Sequence, residues 1–440
     1  MSRCNWIARA ATVVASALCP LVLPASNALA DEPRAGEDYN GPSFSLEQRP
    51  VYLDENLPSL APNAAPLNPS DRPLTGLLNK TPLERPMQES RINVYGWTEG
   101  SYNYNFMNPA KSLNLGRVFD VNDNRFQINQ IDLAVERKVD LSTHQWDVGG
   151  RLEMLYGTDA RFIHSNGMFD FSNRATAGST VAPGPEYQFD IPQVYADVGV
   201  PLGNGLRIRA GKFLFFKQID PNASVFFSHS YTFGAALPFT LTGVTAYYPI
   251  SDAFSVEGGI SRGWGQSLKD NNGAINGLGR IRYSLGTSTD LSLALVTGPE
   301  LNHDNSHYRT VVDATLTHQI SDKLTVLADG VYGYQALPDG ITDASWYGVS
   351  GYGVYKFSEM VSAAVRLEWY RDEEGFTTGI AQNLYEATAG LTITPFPNDA
   401  VGQFFRLRPE VRYDDSSRGF FDGFRRHDQV TVAIDAIFNF

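Results

Sequence analysis

The chain has 440 residues, of which 19% are charged and 12% aromatic, with 39 glycines and a formal net charge of −13. This acidic balance argues against a nucleic-acid partner, because binding to phosphates relies on basic side chains. The mean hydropathy of −0.24 is that of a soluble protein. It does not exclude a membrane β-barrel, in which only every second strand residue faces lipid.

Residues 1–30 are predicted to form a secretory signal peptide. Two arginines flank its start, an apolar run covers residues 10–23, and Ala28–Ala30 provides the small residues of a cleavage site. The apolar run is too short for a transmembrane helix. Both cysteines, Cys4 and Cys19, fall within this leader. The mature chain is therefore expected to contain no disulfide and no cysteine-based catalytic or metal site.

Residues 31–90 differ in composition from the remainder of the chain. They contain ten prolines and little hydrophobic periodicity, which is typical of a linker with partial polyproline character. We expect a disordered arm in the periplasm. The sequence leaves open whether it is a plain spacer or contacts the cell wall or a partner.

The sequence from residue 92 onward predicts about sixteen β-strands. Apolar and polar residues alternate with a period of two, and clusters of Gly, Pro, Asp and Asn separate the segments. An even strand count is typical of bacterial single-chain barrels. The strands are predicted near residues 92–106, 125–139, 144–158, 187–200, 205–214, 241–249, 253–264, 277–286, 289–298, 307–319, 322–335, 344–357, 360–371, 383–394, 402–413 and 428–440.

The predicted connections alternate in length along the chain. The short ones cover residues 140–143, 201–204, 250–252, 287–288, 320–321, 358–359 and 395–401. The longer ones cover residues 107–124, 159–186, 215–240, 265–276, 299–306, 336–343, 372–382 and 414–427. Short periplasmic turns and long extracellular loops are typical of outer-membrane barrels, whereas a soluble sandwich or propeller has no reason to alternate in this way. We therefore predict an all-β fold, a transmembrane antiparallel up-and-down β-barrel, for residues 91–440.

The segment 428–440 is predicted to close this barrel. One of its faces is apolar, and the sequence ends on an aromatic residue. We expect it to pair antiparallel with residues 92–106, and we expect Asp435 to face water inside the barrel. Phe438 and Phe440 resemble the assembly signal of outer-membrane barrels, which implies recognition by the barrel-assembly machinery.

Charged residues alternate with apolar residues within the predicted strands. In 360–371, for example, Arg366 and Glu368 have the parity opposite to that of Val365 and Leu367. An Arg or Lys facing lipid at the membrane midplane costs ~2–4 kcal/mol, so the charged residues are expected to face the interior. An interior with charges of both signs requires water, and a sixteen-stranded barrel leaves an aqueous channel.

The predicted third long loop, residues 211–240, is rich in phenylalanine and poor in charge. We expect it to bury its aromatic side chains by folding into the lumen, which would narrow the channel. The alternative is that the loop only braces the barrel. If the loop narrows the channel, the candidates to face wall arginines across a constriction that favours anions are Lys212, Lys217, Asp220 and His229. The wall candidates are Arg151, Arg207, Arg209, Arg282, Arg366, Arg406 and Arg408.

Short motifs in and around this loop resemble a known family. They are Gly211–Phe213, Phe227–Tyr231 and Pro238–Gly243, together with the earlier run Arg125–Ile131. In these motifs the chain is similar to the putative β-barrel porin-2 (OmpL-like) family from about residue 92 to residue 440. The resemblance implies an outer-membrane channel but no particular solute.

The function expected from the sequence is that of an outer-membrane porin for passive diffusion of small hydrophilic solutes or ions. Its expected partners are outer-membrane lipid, lipopolysaccharide and, in a homotrimer, other copies of the chain. We expect no cofactor, metal site or enzymatic activity. His303 and His307 have zinc-ligand spacing, but they lie in a predicted loop rather than on a helix. The alternatives are an outer-membrane barrel enzyme, which would need a Ser/His pair near the rim, and a secreted soluble β-sheet protein that binds glycans.

Overall fold

The computed structural model describes residues 72–169, 185–217, 219 and 221–440. The predicted signal peptide, most of the predicted arm and the candidate pore residue Asp220 lie outside the described residues. None of the helices in the described ranges is long and apolar enough to cross a membrane.

The described part of the chain forms sixteen antiparallel β-strands in one closed barrel, in which each strand pairs with its sequence neighbours. This confirms the predicted fold class and strand count. The strands are β1 Asn93–Asn105, β2 Arg125–Arg137, β3 Asp147–Gly157, β4 Gln188–Val200, β5 Leu206–Leu214, β6 Thr240–Pro249, β7 Phe254–Ser261, β8 Asn276–Leu285, β9 Thr289–Pro299, β10 Tyr308–Gln319, β11 Leu324–Gln335, β12 Ala344–Lys356, β13 Val361–Asp372, β14 Gln382–Ile393, β15 Phe405–Ser416 and β16 Asp428–Asn439. The short helices are α1 Pro73–Leu78, α2 Glu84–Ser90, α3 Ala160–Ile163, α4 Tyr231–Gly234 and α5 Phe421–Phe424.

The first and last strands close the barrel. Strand β16 pairs antiparallel with β1, with Asp435 opposite Ser101. The pairing continues to Phe440, whose backbone N–H donates to the Gly96 carbonyl at 2.9 Å while the Gly96 N–H donates to the Phe440 carbonyl at 2.8 Å. Asp435 is buried in the interior against Arg408. The predicted pairing and the interior position of Asp435 are confirmed, although Asp435 is paired with Arg408 rather than facing water. Closure leaves no unpaired sheet edge among the described strands.

The connections divide the barrel into two rims. Turns such as 201–205, 286–288 and 320–323 lie at one end, which we call the short-turn rim. The other end, the long-loop rim, carries among others loop 1 (106–124), loop 2 (158–187) and loop 3 (215–239). The alternation follows the prediction, except that the first and the last of the short connections extend over residues 138–146 and 394–404.

The two faces of the wall differ in polarity as the alternation predicts. In β13, Val365 and Leu367 are 53% and 65% exposed on the outer face, whereas Arg366 and Glu368 are 1% and 5% exposed on the inner face. Because successive strand residues point to opposite faces, the outer surface remains apolar and the lumen receives the charges.

The end of the predicted arm, residues 72–90, requires a correction, because it is folded rather than disordered. It forms two short helices, of which α1 is fixed to the first strand near the short-turn rim. The Thr75 hydroxyl donates to the Val94 carbonyl at 2.9 Å, and the Arg72 guanidinium lies 4.6 Å from the ring centroid of Tyr95. A proline at the first position of α1 favours helix initiation, since no hydrogen bond is required of its nitrogen.

Deletion of Phe440 is expected to impair assembly of the barrel, because it removes both hydrogen bonds to Gly96 and leaves backbone groups of β1 unpaired in lipid. The measurement is the fraction of outer-membrane protein that migrates as a compact, heat-modifiable band on a gel. Channels that do insert should retain the wild-type conductance. Normal insertion of the deletion variant would contradict this account of closure.

A glycine substitution provides the matched comparison. A Cβ atom at Gly96 would lie 2.8 Å from the Phe440 ring and 2.1 Å from the Asp132 carbonyl oxygen, whereas one at Gly351 would meet no atom within 4 Å. Gly96→Ala should therefore reproduce the assembly defect, and Gly351→Ala should assemble normally.

Candidate functional site

Loop 3 lies against the inner face of the strands from β10 to β16. Phe226 packs in a buried cluster with Leu327 and Val354 of the wall, and Tyr231 lies in a second cluster with Tyr370 of β13. Burial of aromatic side chains on the inside of the barrel removes apolar area from water. The same burial removes the loop backbone from water, so its polar groups require partners.

Two wall carboxylates bind backbone N–H groups of loop 3. Glu368 accepts from the N–H groups of Tyr231 at 2.8 Å and Thr232 at 2.7 Å, at the start of α4. Glu410 accepts from the N–H groups of Phe227 and Ser228 at 2.9 and 3.1 Å. A carboxylate is a strong acceptor for such buried N–H groups. Both contacts join β13 and β15 to the middle of the loop.

Wall arginines bind the backbone carbonyls of the same loop. Arg366 donates to the Ser228 carbonyl at 2.7 Å. Arg408 donates to the Ser224 carbonyl, also at 2.7 Å, and Arg412 donates to the His229 carbonyl at 2.6 Å. Arg406 donates to the side-chain oxygen of Asn222. The wall therefore supplies donors to the carbonyl groups and acceptors to the N–H groups of one loop.

Lys217 fixes the beginning of loop 3 on the neighbouring strands. Its ammonium group lies 2.7 Å from Asp313 of β10 and 2.8 Å from Asp329 of β11. Burial alone would lower the pKa of Lys217, but the two carboxylates outweigh this and raise the pKa above its ordinary value. Lys217 is therefore charged and forms a buried ion triad with the wall.

His229 does not contribute positive charge to the lumen at neutral pH. Its ring lies between loop residues, with centroids 4.7 Å from Phe233 and 5.1 Å from Phe119 of loop 1. Burial and the neighbouring arginines lower the pKa of His229 to about 3. The side chain is therefore a neutral member of an aromatic cluster.

The sequence-predicted arginines on the strands that loop 3 covers differ from the expectation in their contacts. Arg366, Arg406 and Arg408 contact loop 3 directly rather than facing it across a constriction. The reason is that buried loop carbonyls require donors. Lys212 lies in β5 rather than in the loop, and its ammonium group is 3.2 Å from Asp190.

The remaining predicted arginines lie on the opposite wall, formed by β2 to β8. Arg209 is paired in bidentate geometry with Asp197, with both contacts at 2.9 Å. Arg282 pairs with Asp290. Arg151 and Arg207 join Arg209 around a cavity that we call the basic cavity. Its charged lining consists of Lys138, Arg151, Arg207, Arg209, Arg280, Glu136 and Glu257.

Several residues of the site were not identified as such by the sequence. The strand parity of Glu368 and Glu410 indicates an interior position, but it does not reveal that they are acceptors for loop 3. Asp313 and Asp329 have the inward parity as well. Parity was the available signal, and it does not reveal which loop group lies opposite.

One serine motif bears on the enzyme alternative. Residues 259–263 have the spacing Gly-x-Ser-x-Gly, which in hydrolases places the serine on a sharp strand-to-helix turn. Here Ser261 is the last residue of β7, and the chain continues into a loop toward β8. The local geometry is therefore not that of a nucleophile elbow.

The fold is similar to those of solved porins. The anion-selective porin from Comamonas acidovorans superposes with a TM-score of 0.55 at 12% identity, covering 79% of this chain and 99% of that one. OprB of Pseudomonas putida gives a TM-score of 0.53 at 12% identity, with 82% and 97% covered. OmpT of Vibrio cholerae, in its trimer form, gives 0.50 at 12% identity, with 79% and 99% covered.

Comparison with curated protein sequences yields no significant match. A family profile does match, over residues 91–440, which is the whole barrel. The chain belongs to the family described as putative beta-barrel porin-2, OmpL-like.

Proposed function

We propose that this outer-membrane porin allows passive diffusion of small hydrophilic solutes and ions through a lumen that loop 3 narrows. The observation that carries the proposal is the closed barrel with an apolar outer face and a charged inner face. Sixteen strands enclose more space than side chains alone fill. Loop 3 takes the side of that space next to β10–β16, and its Ile219 carbonyl also accepts a hydrogen bond from Gln130 of β2, so the loop narrows the path that is left for solutes.

The orientation of the barrel in the outer membrane follows from the different connection lengths at its two rims. The short-turn rim faces the periplasm, and the long-loop rim faces outward toward lipopolysaccharide. Residues 31–90 then begin in the periplasm, where the barrel-assembly machinery also meets Phe440. We further propose a homotrimer, since the solved structure of OmpT of Vibrio cholerae is described as a trimer form.

Reconstitution into planar lipid bilayers tests the proposed channel. The purified, heat-modifiable barrel should produce stepwise increases in conductance, and neutral sugars should permeate at rates that fall with their size. Folded protein that inserts but produces no conductance steps would contradict the function.

The double variant Glu368→Gln/Glu410→Gln tests the narrowing by loop 3. It weakens four hydrogen bonds to the loop backbone, and each bond to a charged acceptor contributes about 1.5–3 kcal/mol. A loosened loop should give larger and noisier single-channel currents. Glu359→Gln, at an exposed turn of the short-turn rim, should give wild-type currents. Unchanged currents in folded double-variant channels would show that the loop does not limit conduction.

The ion triad of Lys217 permits a rescue experiment. Lys217→Met should destabilise the barrel by about 3–5 kcal/mol, because it leaves two buried carboxylates without their cation. Adding Asp313→Asn and Asp329→Asn removes those charges and should restore most of the stability. The measurement is the temperature at which the compact gel band is lost.

The matched control is Lys323→Met, which makes the same substitution at an exposed turn. It should leave the transition temperature unchanged. A triple variant that is as unstable as Lys217→Met alone would show that the carboxylates are not the cause.

A further inference from the structure

The lumenal charges divide between two walls with different environments. On the strands from β13 to β15, Arg366, Arg408 and Arg412 are each bonded to the loop 3 backbone. Because loop 3 covers these three guanidinium groups, they do not contact solutes. The basic cavity lies on the other wall, beside the base of loop 3, which contributes Phe216 to its lining.

The net charge of the side chains around the basic cavity favours a ligand with one negative charge. Five cationic side chains and two carboxylates line it. Asp197 and Glu153 lie behind the lining, where they pair with Arg209 and Arg151. Five cations therefore face four carboxylates, which leaves one positive charge for a monoanion to neutralise.

The cationic groups of the basic cavity are held in fixed orientations by aromatic rings. The Arg209 guanidinium lies 3.6 Å from the ring centroid of Tyr195, and that of Arg280 lies 4.5 Å from the centroid of Phe216. Cation–π contact orients the planar guanidinium. Both guanidinium groups also donate to a wall carboxylate, Arg209 to Asp197 and Arg280 to Glu257 at 3.1 Å, and a guanidinium has five N–H groups in all. The Nε atom of Arg151 is buried without a hydrogen-bond partner among the described residues.

Apolar side chains also line the basic cavity. They belong to Phe213, Leu214 and Phe216. The cavity has a volume of about 50 Å³. On the same measure of volume, one water molecule requires roughly 10–15 Å³. A ligand of a few non-hydrogen atoms, charged at one end and apolar at the other, matches this lining.

We propose that the basic cavity is a binding site for small monocarboxylates of the size of acetate to butyrate on their way through the channel. The carboxylate contacts Arg151 and Arg280, and the hydrocarbon end packs against Phe213 and Phe216. The site rests on the proposed channel function, and it gives that channel a preference for one class of solute.

Conductance in planar bilayers as a function of salt concentration tests the site, because a channel with a binding site saturates. Conductance in potassium butyrate should saturate at a lower concentration than in potassium chloride. In Arg280→Gln the half-saturating butyrate concentration should rise roughly tenfold, the effect of one charged hydrogen bond. Lys138→Gln, at the exposed edge of the cavity, should raise it less and provides a second variant if Arg280→Gln does not fold.

Arg282→Gln is the matched control, since it removes the same charge two residues away on the same face of β8, outside the cavity lining. It should saturate as the wild type does. Butyrate conductance that rises linearly in a conducting channel, or an equal shift in Arg280→Gln and Arg282→Gln, would overturn the site. Saturation by inorganic phosphate but not by butyrate would overturn the ligand class. A barrel that conducts no ion would instead refute the channel function.

Discussion

A polar group that leaves water must find a partner, and this requirement governs both the wall and the lumen of the barrel. In the wall it is met by closure, which at the junction of β1 and β16 extends to the paired backbone groups of Phe440 and Gly96. In the lumen it is met by charged side chains, since loop 3 buries its backbone against strands that cannot pair with it. Glu368 and Glu410 supply acceptors, and Arg366 supplies a donor.

This arrangement gives the lumenal charges two different roles. Those on the strands from β13 to β15 position loop 3, so they contribute little to the field that a solute meets. Those around the basic cavity remain in contact with the lumen. The formal net charge of −13 is therefore a poor guide to selectivity, which depends on the few charges that loop 3 leaves uncovered.

Strand periodicity, loop-length alternation and inward parity were sufficient to predict sixteen strands, their order and the interior position of Asp435. These features follow from local patterns and from the exclusion of charge from lipid. The partners of loop 3 could not be predicted in this way. Tyr231 and Glu368 are 137 positions apart, and parity places a carboxylate inside the barrel without specifying its partner. The anchoring of residues 72–90 was missed because their composition resembles that of a linker.

Helix α4 of loop 3 lies against the inner face of β12, and a cysteine pair across this contact tests whether the loop is folded into the lumen. The Thr232 and Ser350 hydroxyl oxygens are 3.3 Å apart, and both cysteines of the chain fall in the predicted leader. Thr232→Cys/Ser350→Cys should form a disulfide in the assembled barrel, detected by mass spectrometry after thiol alkylation. Thr232→Cys/Thr245→Cys, which places the second thiol on β6, should remain reduced. Free thiols in the first pair, within a correctly assembled barrel, would contradict the account.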